Sequence, residues 1–253
     1  NRNRNRRLIY VRRKWIAGLL SAAMVLSLAM PAAAEALPDA SPETAVQEQA
    51  EPAVQEEEAE LYATTAGNYG DLRYTVNSDG ATCTITGCNT SASGALVIPE
   101  TIDGYRVTSI GDRAFYYCSS LTSITIPDGV TSIGDHAFEH CSSLTSVTIP
   151  NSVMSIGNYA FYHCSNLTSI TIPDSVTSIG GSTFFGCSSL TSVTICDGVT
   201  SIGWGAFEYC SSLTSVTIPD SVTSIGNHAF EYCSSLTSVT IPDSVTSIGG
   251  DAF

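Results

Sequence analysis

Lysine is absent from this chain after residue 14, and arginine nearly so: of ten basic residues seven lie in the first fourteen positions, and only Arg73, Arg106 and Arg113 follow. That absence excludes Schiff-base chemistry and a lysine-bearing phosphate loop from everything beyond the N-terminus. All 24 acidic residues stand at or after Glu35, so three basic residues face 24 acidic ones there and the net charge is −21. A surface of that sign repels a phosphate backbone, which excludes nucleic acid as a partner. Cysteine is missing before Cys83, which excludes a lipidated N-terminal cysteine, and no G-x-S-x-G nucleophile elbow occurs. Apolar runs are short too: the longest, Trp15 to Met30, has 16 residues, fewer than the roughly 20 that span a bilayer.

What is present begins with an address. The basic stretch Arg2 to Lys14 leads into that apolar run and then into Pro31-Ala32-Ala33-Ala34-Glu35, the pattern of a secretory signal peptide cleaved after Ala34. Residues 1–34 are therefore expected to direct export, leaving no membrane insertion after cleavage. Residues 35–65 are rich in Ala, Glu, Gln and Pro and repeat the unit Ala-Val-Gln-Glu; they are expected to form a disordered acidic linker. The chain opens on Asn1 rather than Met, and the reading takes the sequence as truncated at both ends.

The remainder is periodic. Phe115, Phe138, Phe161, Phe184, Phe207, Phe230 and Phe253 are spaced by 23 residues, as are Cys118 to Cys233 and Leu121 to Leu236. In a typical unit, LTSITIPDGVTSIGDHAFEHCSS from Leu121 to Ser143, the apolar Leu121, Ile124 and Ile126 alternate with Ser123 and Thr125. This predicts a strand with one buried face. Pro127 ends it for want of an N–H, and Asp128-Gly129 turns the chain. Asp135 is placed to cap a short helical turn carrying Ala137, Phe138 and Cys141. A single 23-residue unit cannot bury its own apolar side chains, whereas stacked units can. The expected fold is an α/β repeat solenoid with one parallel strand per coil plus short helical turns. About seven coils at the strand spacing give a rod some 35 Å long.

The pattern L-x-x-I-x-I-P…V-x-x-I-G-x-x-A-F-x-x-C resembles the BspA-like leucine-rich repeats over residues 96–253. Residues 66–95 then form a divergent N-terminal capping coil; residues 98–111 carry a five-residue insertion, and Cys196 replaces the strand-ending proline. The resemblance implies an exported or cell-surface, adhesin-like protein that binds an extracellular protein or glycan, with no catalysis and no cofactor. A structural spacer displaying a further domain stays open as the alternative.

Two surfaces are candidates for binding. On the sheet face, Ser123, Ser146, Ser169, Ser192 and Ser215 form one hydroxyl column, and Thr125, Thr148, Thr171, Thr194 and Thr217 a second. The other candidate is an edge where the repeats differ from one another, around the conserved Phe. Its aromatic and imidazole members are Tyr116, Tyr117, His140, Tyr159, Tyr162, His163, Phe185, Tyr209 and Tyr232, a composition suited to protein recognition. A third reading, a metal-dependent hydrolase, rests on His136-Ala137-Phe138-Glu139-His140, which matches H-x-x-E-H, with His163 one coil on. Because the frame of that motif is the repeat itself, no stoichiometric zinc is expected. The periodic cysteines are expected to be buried thiols; whether Cys83 and Cys88 close a small disulfide loop stays open.

Overall fold

The computed structural model describes residues 7–10 and 65–253. The expected export signal and acidic linker fall almost wholly outside these residues. Within that stretch only Thr65 and Arg7–Tyr10 are described, the latter as a strand antiparallel to Ser238–Ile241.

Alternation of β-branched and hydroxyl residues builds the first parallel ladder. Its strands are Gly94–Val97, Leu121–Thr125, Ser146–Thr148, Ser169–Ile172, Ser192–Ile195, Ser215–Val216 and Ser238–Ile241, with strand pairing interrupted between Ser146–Thr148 and Ser169–Ile172 and the last strand joined by the single bridge Thr217 to Thr240. From Leu121–Thr125 onward the hydroxyl residues of paired strands face their own kind: Ser146 lies opposite Ser123, Thr194 opposite Thr171, and Ser215 opposite Ser192. A slip of one residue would turn every isoleucine outward, so the buried face pins the register. Where proline ends the strand in other units, Cys196 donates its N–H to the Ile172 carbonyl at 3.1 Å, a bond that proline cannot make.

The sequence predicts one strand per coil, but each coil contributes two. The T-S-I-G segment forms two-residue strands, from Ser132–Ile133 and Ser155–Ile156 to Ser247–Ile248, in a second parallel ladder whose pairing is interrupted between Ser155–Ile156 and Ser178–Ile179. Between the ladders the phenylalanines stack. From Phe115 to Phe253 successive ring centroids are 5.0–5.3 Å apart with planes within 13° of parallel. The cysteine column is equally buried, and from Cys141 onward each thiol donates to the Phe carbonyl of the coil before: Cys141 Sγ to Phe115 O at 3.1 Å, Cys164 Sγ to Phe138 O at 3.1 Å.

The expected helical turns do not form; among the described residues there is no helix, and the coils make a parallel β-solenoid rather than an α/β one. The reason lies in the backbone donors around each phenylalanine. His136, Phe138 and His140 give their N–H groups to the Asn158, Ala160 and Tyr162 carbonyls of the next coil, at 2.9, 2.7 and 2.8 Å. The intervening Glu139 and Cys141 bond within the coil, to His136 O and Phe138 O. A helix would send every N–H along its own axis; here alternate donors leave the coil and tie it to its neighbour. That alternation needs left-handed backbone at two positions per coil, His136 (φ 58°) and His140 (φ 59°) in this one. For residues with a Cβ this conformation costs about 1–2 kcal/mol each, and the inter-coil hydrogen bonds offset it. Asp135 is likewise not a helix cap. Its carboxylate accepts the Asn158 N–H one coil on (2.7 Å), as Asp112 accepts that of Asp135 and Asn158 that of Gly181.

At the N-terminal end, Ala66–Tyr69, Leu72–Val76 and Thr82–Cys88 form an antiparallel meander, whose last strand runs parallel to Tyr105–Ile110 and so opens the second ladder. The five extra residues form a hairpin in which Thr101–Ile102 pairs with Tyr105–Ile110 around Asp103-Gly104. Tyr74 Oη anchors it by donating to Asp103 at 2.6 Å. Cys83 and Cys88 do not form a disulfide; all nine cysteines are free. Both lie on the strand Thr82–Cys88, and five residues of extended chain span about 16 Å, well beyond the reach of an S–S bond.

Candidate functional site

The two candidate surfaces come out of this geometry very differently. On the sheet face, the hydroxyls of Ser146, Ser169, Ser192 and Ser215 and of Thr148, Thr171, Thr194 and Thr217 are exposed and in register, and Ser123 alone is half-buried beside the exposed Thr125. A third hydroxyl column, not singled out from the sequence, bonds along the array instead: Thr145 Oγ1 donates to Thr122 O at 3.0 Å and Thr191 Oγ1 to Thr168 O at 3.0 Å. The sheet face thus repeats one small polar motif per coil with little to distinguish any coil from the next.

The edge is the opposite. The left-handed positions lie two residues before and two after each Phe, and most of them carry rings. Tyr117, His140, His163, Tyr209 and Tyr232 all have φ between 55° and 59°. Tyr117 stacks on His140 (4.5 Å) and His140 on His163 (5.3 Å, planes 5° apart). After a gap at Gly186, Tyr209 stacks on Tyr232 at 4.5 Å. Beside this column Tyr162 stacks on Phe185 at 4.9 Å and meets Tyr159, His163 and His140 edge-on at 5.6, 4.5 and 5.9 Å. Tyr116 packs edge-on to Tyr117 at 4.6 Å, under the Arg113 guanidinium at 5.6 Å. The sequence places these side chains on exposed turns. Most are half-buried by stacking instead, with Tyr117, Tyr209 and Tyr232 open to solvent at 49%, 44% and 42%.

Electrostatics follows the packing. Burial, then the Glu139 carboxylate, push the Tyr162 phenol up. Burial and the stacked His140 ring hold the His163 imidazole below its ordinary value, with Glu139 opposing. In the thiol column burial dominates, raising Cys141, Cys187 and Cys233 to about 12.

The H-x-x-E-H stretch does not make a zinc site of the protease kind. It has no helix to align its histidines, His136 Nδ1 is held by Glu139 Oε2, and His140 Nε2 lies 3.6 Å from Glu139 Oε1. Zinc sits in the plane of an imidazole about 2 Å from its nitrogen, and the parallel stacked rings of His140 and His163 do not converge on one point. Among the described residues no group of three or more His, Cys, Asp or Glu is gathered for a metal ion.

The BspA type leucine rich repeat region matches in 6 copies across residues 108–235 and 200–253. The structure is similar to that of a T. pallidum leucine rich repeat protein, with 33% identity, TM-score 0.68 and coverage of 73% of this chain and 86% of that one. It is similar also to a leucine rich cell surface protein of Faecalibacterium prausnitzii (42% identity, TM-score 0.63, 76% and 52% covered). A Bacteroides ovatus leucine-rich repeat protein matches at 29% identity and TM-score 0.56, with 72% and 55% covered. The matched region spans about half the length of the last two. No curated protein matches the chain. With its 23-residue coils, stacked phenylalanines and family match over more than half its length, the chain belongs to the BspA-type leucine-rich repeat family.

Proposed function

We propose that the solenoid is a non-enzymatic recognition surface displayed outside the cell, and that it grips an extracellular protein through its aromatic edge. One observation carries the reading. Five ring-bearing residues occupy a left-handed backbone position that glycine fills without strain at Gly186 (φ 71°). Strain of this kind clusters where a side chain is needed for function, and large rings give contact area at little entropic cost. The F. prausnitzii relative is described as a cell surface protein, which supports export, as does the signal-like N-terminus. The sheet face supports a second mode, because its uniform, unengaged hydroxyls suit a repetitive ligand such as a glycan, bound weakly at each coil and summed along the array.

The test is a binding screen against extracellular matrix proteins and glycans with three forms of the protein. Loss of binding by about 2 kcal/mol or more on Tyr162→Ala alone marks an edge hot spot. Loss only on joint replacement of Thr148, Thr171, Thr194 and Thr217 by Lys marks the sheet face. Unchanged binding by both variants removes both surfaces, and a wild-type array that binds none of these ligands is left as a spacer.

A further inference from the structure

The thiol column changes character at its N-terminal end. Cys141, Cys164, Cys187, Cys210 and Cys233 each donate to a Phe carbonyl of the preceding coil at 3.1–3.2 Å, which satisfies the S–H and leaves the thiol a buried filler. No phenylalanine precedes Phe115 in the chain, so Cys118 has no such carbonyl. It turns to Asn89 O instead, at a loose 3.9 Å, and shares that oxygen with Cys88 Sγ at 3.6 Å. Two thiols thus converge on one carbonyl, and neither holds it as closely as the rest of the column holds its own.

The two sulfurs also meet each other. A hydrogen bond between them is the largest influence on both, drawing Cys88 below its ordinary thiol value and pushing Cys118 above it. From Cys141 onward burial, not a neighbouring thiol, is the first cause. The direction of approach differs as well. Column neighbours repeat one position of stacked coils, so their Cβ vectors run parallel, a poor arrangement for an S–S bond. Cys88 ends the strand Thr82–Cys88, outside the 23-residue period, and comes to Cys118 from a different element. Both are buried, at 3% and 0% exposure, but Cys88 adjoins the exposed Asn89, Thr90 and Ser91.

We propose that Cys88 and Cys118 are joined as a disulfide when the protein meets an oxidising compartment, and that the bond clamps the N-terminal meander to the first phenylalanine-bearing coil. The oxidant is itself a disulfide, that of a thiol–disulfide oxidoreductase or of a small thiol. The Cys88 thiolate attacks one of its sulfurs, forms a mixed disulfide and releases one thiolate. Cys118 then gives its proton to water, attacks the Cys88 sulfur and expels the second thiolate. The two cysteines lose two electrons and two protons, and the oxidant becomes two thiols. Exchange proceeds while the chain folds or when the loop over Cys88 opens. The bond closes the segment that carries the hairpin around Asp103-Gly104 and so removes freedom from the unfolded chain. Export, as proposed above, supplies such a compartment, whereas the pairing depends only on the fold.

The test refolds the reduced full chain in a buffer of oxidised and reduced glutathione, alkylates the remaining thiols and maps the peptides by mass spectrometry. Expected is one link, Cys88 to Cys118, with two of the nine thiols lost to alkylation. The melting temperature should lie at least about 5 °C above that of the same protein reduced with dithiothreitol. Cys88→Ser should abolish both the link and the difference between oxidised and reduced melts, while Cys83→Ser should keep both. Cys118→Ala should behave as Cys88→Ser does, and Cys88→Ser decides if the more deeply packed variant fails to fold. The absence of a link overturns the proposal, as does a link from Cys83 to Cys88 or from Cys118 to Cys141. A Cys88–Cys118 bond that leaves the melt unchanged overturns the clamp. None of these outcomes touches the Tyr162→Ala result, so the clamp and the recognition edge fail separately.

Discussion

His140 and His163 lie one above the other, 23 residues apart in sequence, with ring centroids 5.3 Å apart and planes 5° from parallel. Both are held there by left-handed backbone (φ 59° and 55°) whose N–H groups are committed to the next coil. Neither ring can turn away without losing its stack, so charge on one is felt by the other.

The His163 imidazole is held below its ordinary value by burial and by His140, against the pull of Glu139. A histidine depressed on folding contributes stability above its unfolded value of about 6.5, and that stability is lost as pH falls through the folded value. Denaturant unfolding between pH 7.5 and about 5 should show this decline, and His163→Tyr should flatten that part of the profile. A profile identical in the variant would show that the ladder does not titrate.

The thiol column makes the alkaline limb. Cys141 and Cys187 are raised to about 12 by burial. Stability from a raised group is fully present below the unfolded thiol value, near 8.5, and is lost as pH rises toward the folded one. Each such thiol should remove about 1.4 kcal/mol per pH unit in that window. Cys187→Ala lowers stability at pH 7 by emptying a packed site, but its slope between pH 9 and 11 should be shallower by about that amount. Equal slopes would overturn the assignment.

Left-handed strain is directly measurable at Tyr232 (φ 57°), an exposed ring. Tyr232→Gly should be more stable than Tyr232→Ala by about 1 kcal/mol, the reverse of the order in a helix or strand. Thermal or urea melts of the two variants decide it; if Ala is the more stable, the backbone there is not left-handed.

Asp135 is a coil-to-coil clasp through its bond to the Asn158 N–H. Asp135→Ala should cost about 1–2 kcal/mol, while Asp135→Asn should cost little, since Asn158 and Asn227 make the same bond at their own coils. A helix cap would instead show its loss as reduced helicity, which circular dichroism would reveal.

The repeat made much of this legible in advance. The 23-residue period placed Phe138, Cys141, Leu144 and Ile124 in buried columns, because identical side chains at a fixed period can stack only if the coils do. Local signals misled at one point. Asp135 followed two residues later by Ala137-Phe138 looks like a capped helical turn, since a short stretch does not reveal whether its N–H groups will bond along the chain or across to a neighbour. The second ladder was missed for a related reason, as Ser132–Ile133 is too short to show a period. The edge residues were found as the columns that vary between units.

Composition and period were enough to establish an acidic stacked array, its buried columns and the in-register hydroxyl face, because these depend only on what repeats and on which residues avoid water. The left-handed turns and the ring ladder built on them depend on where each backbone donor goes and on what the adjacent coil offers. Those are distances between residues 23 or more apart, set by one coil resting on the next, and no stretch within a single coil contains them.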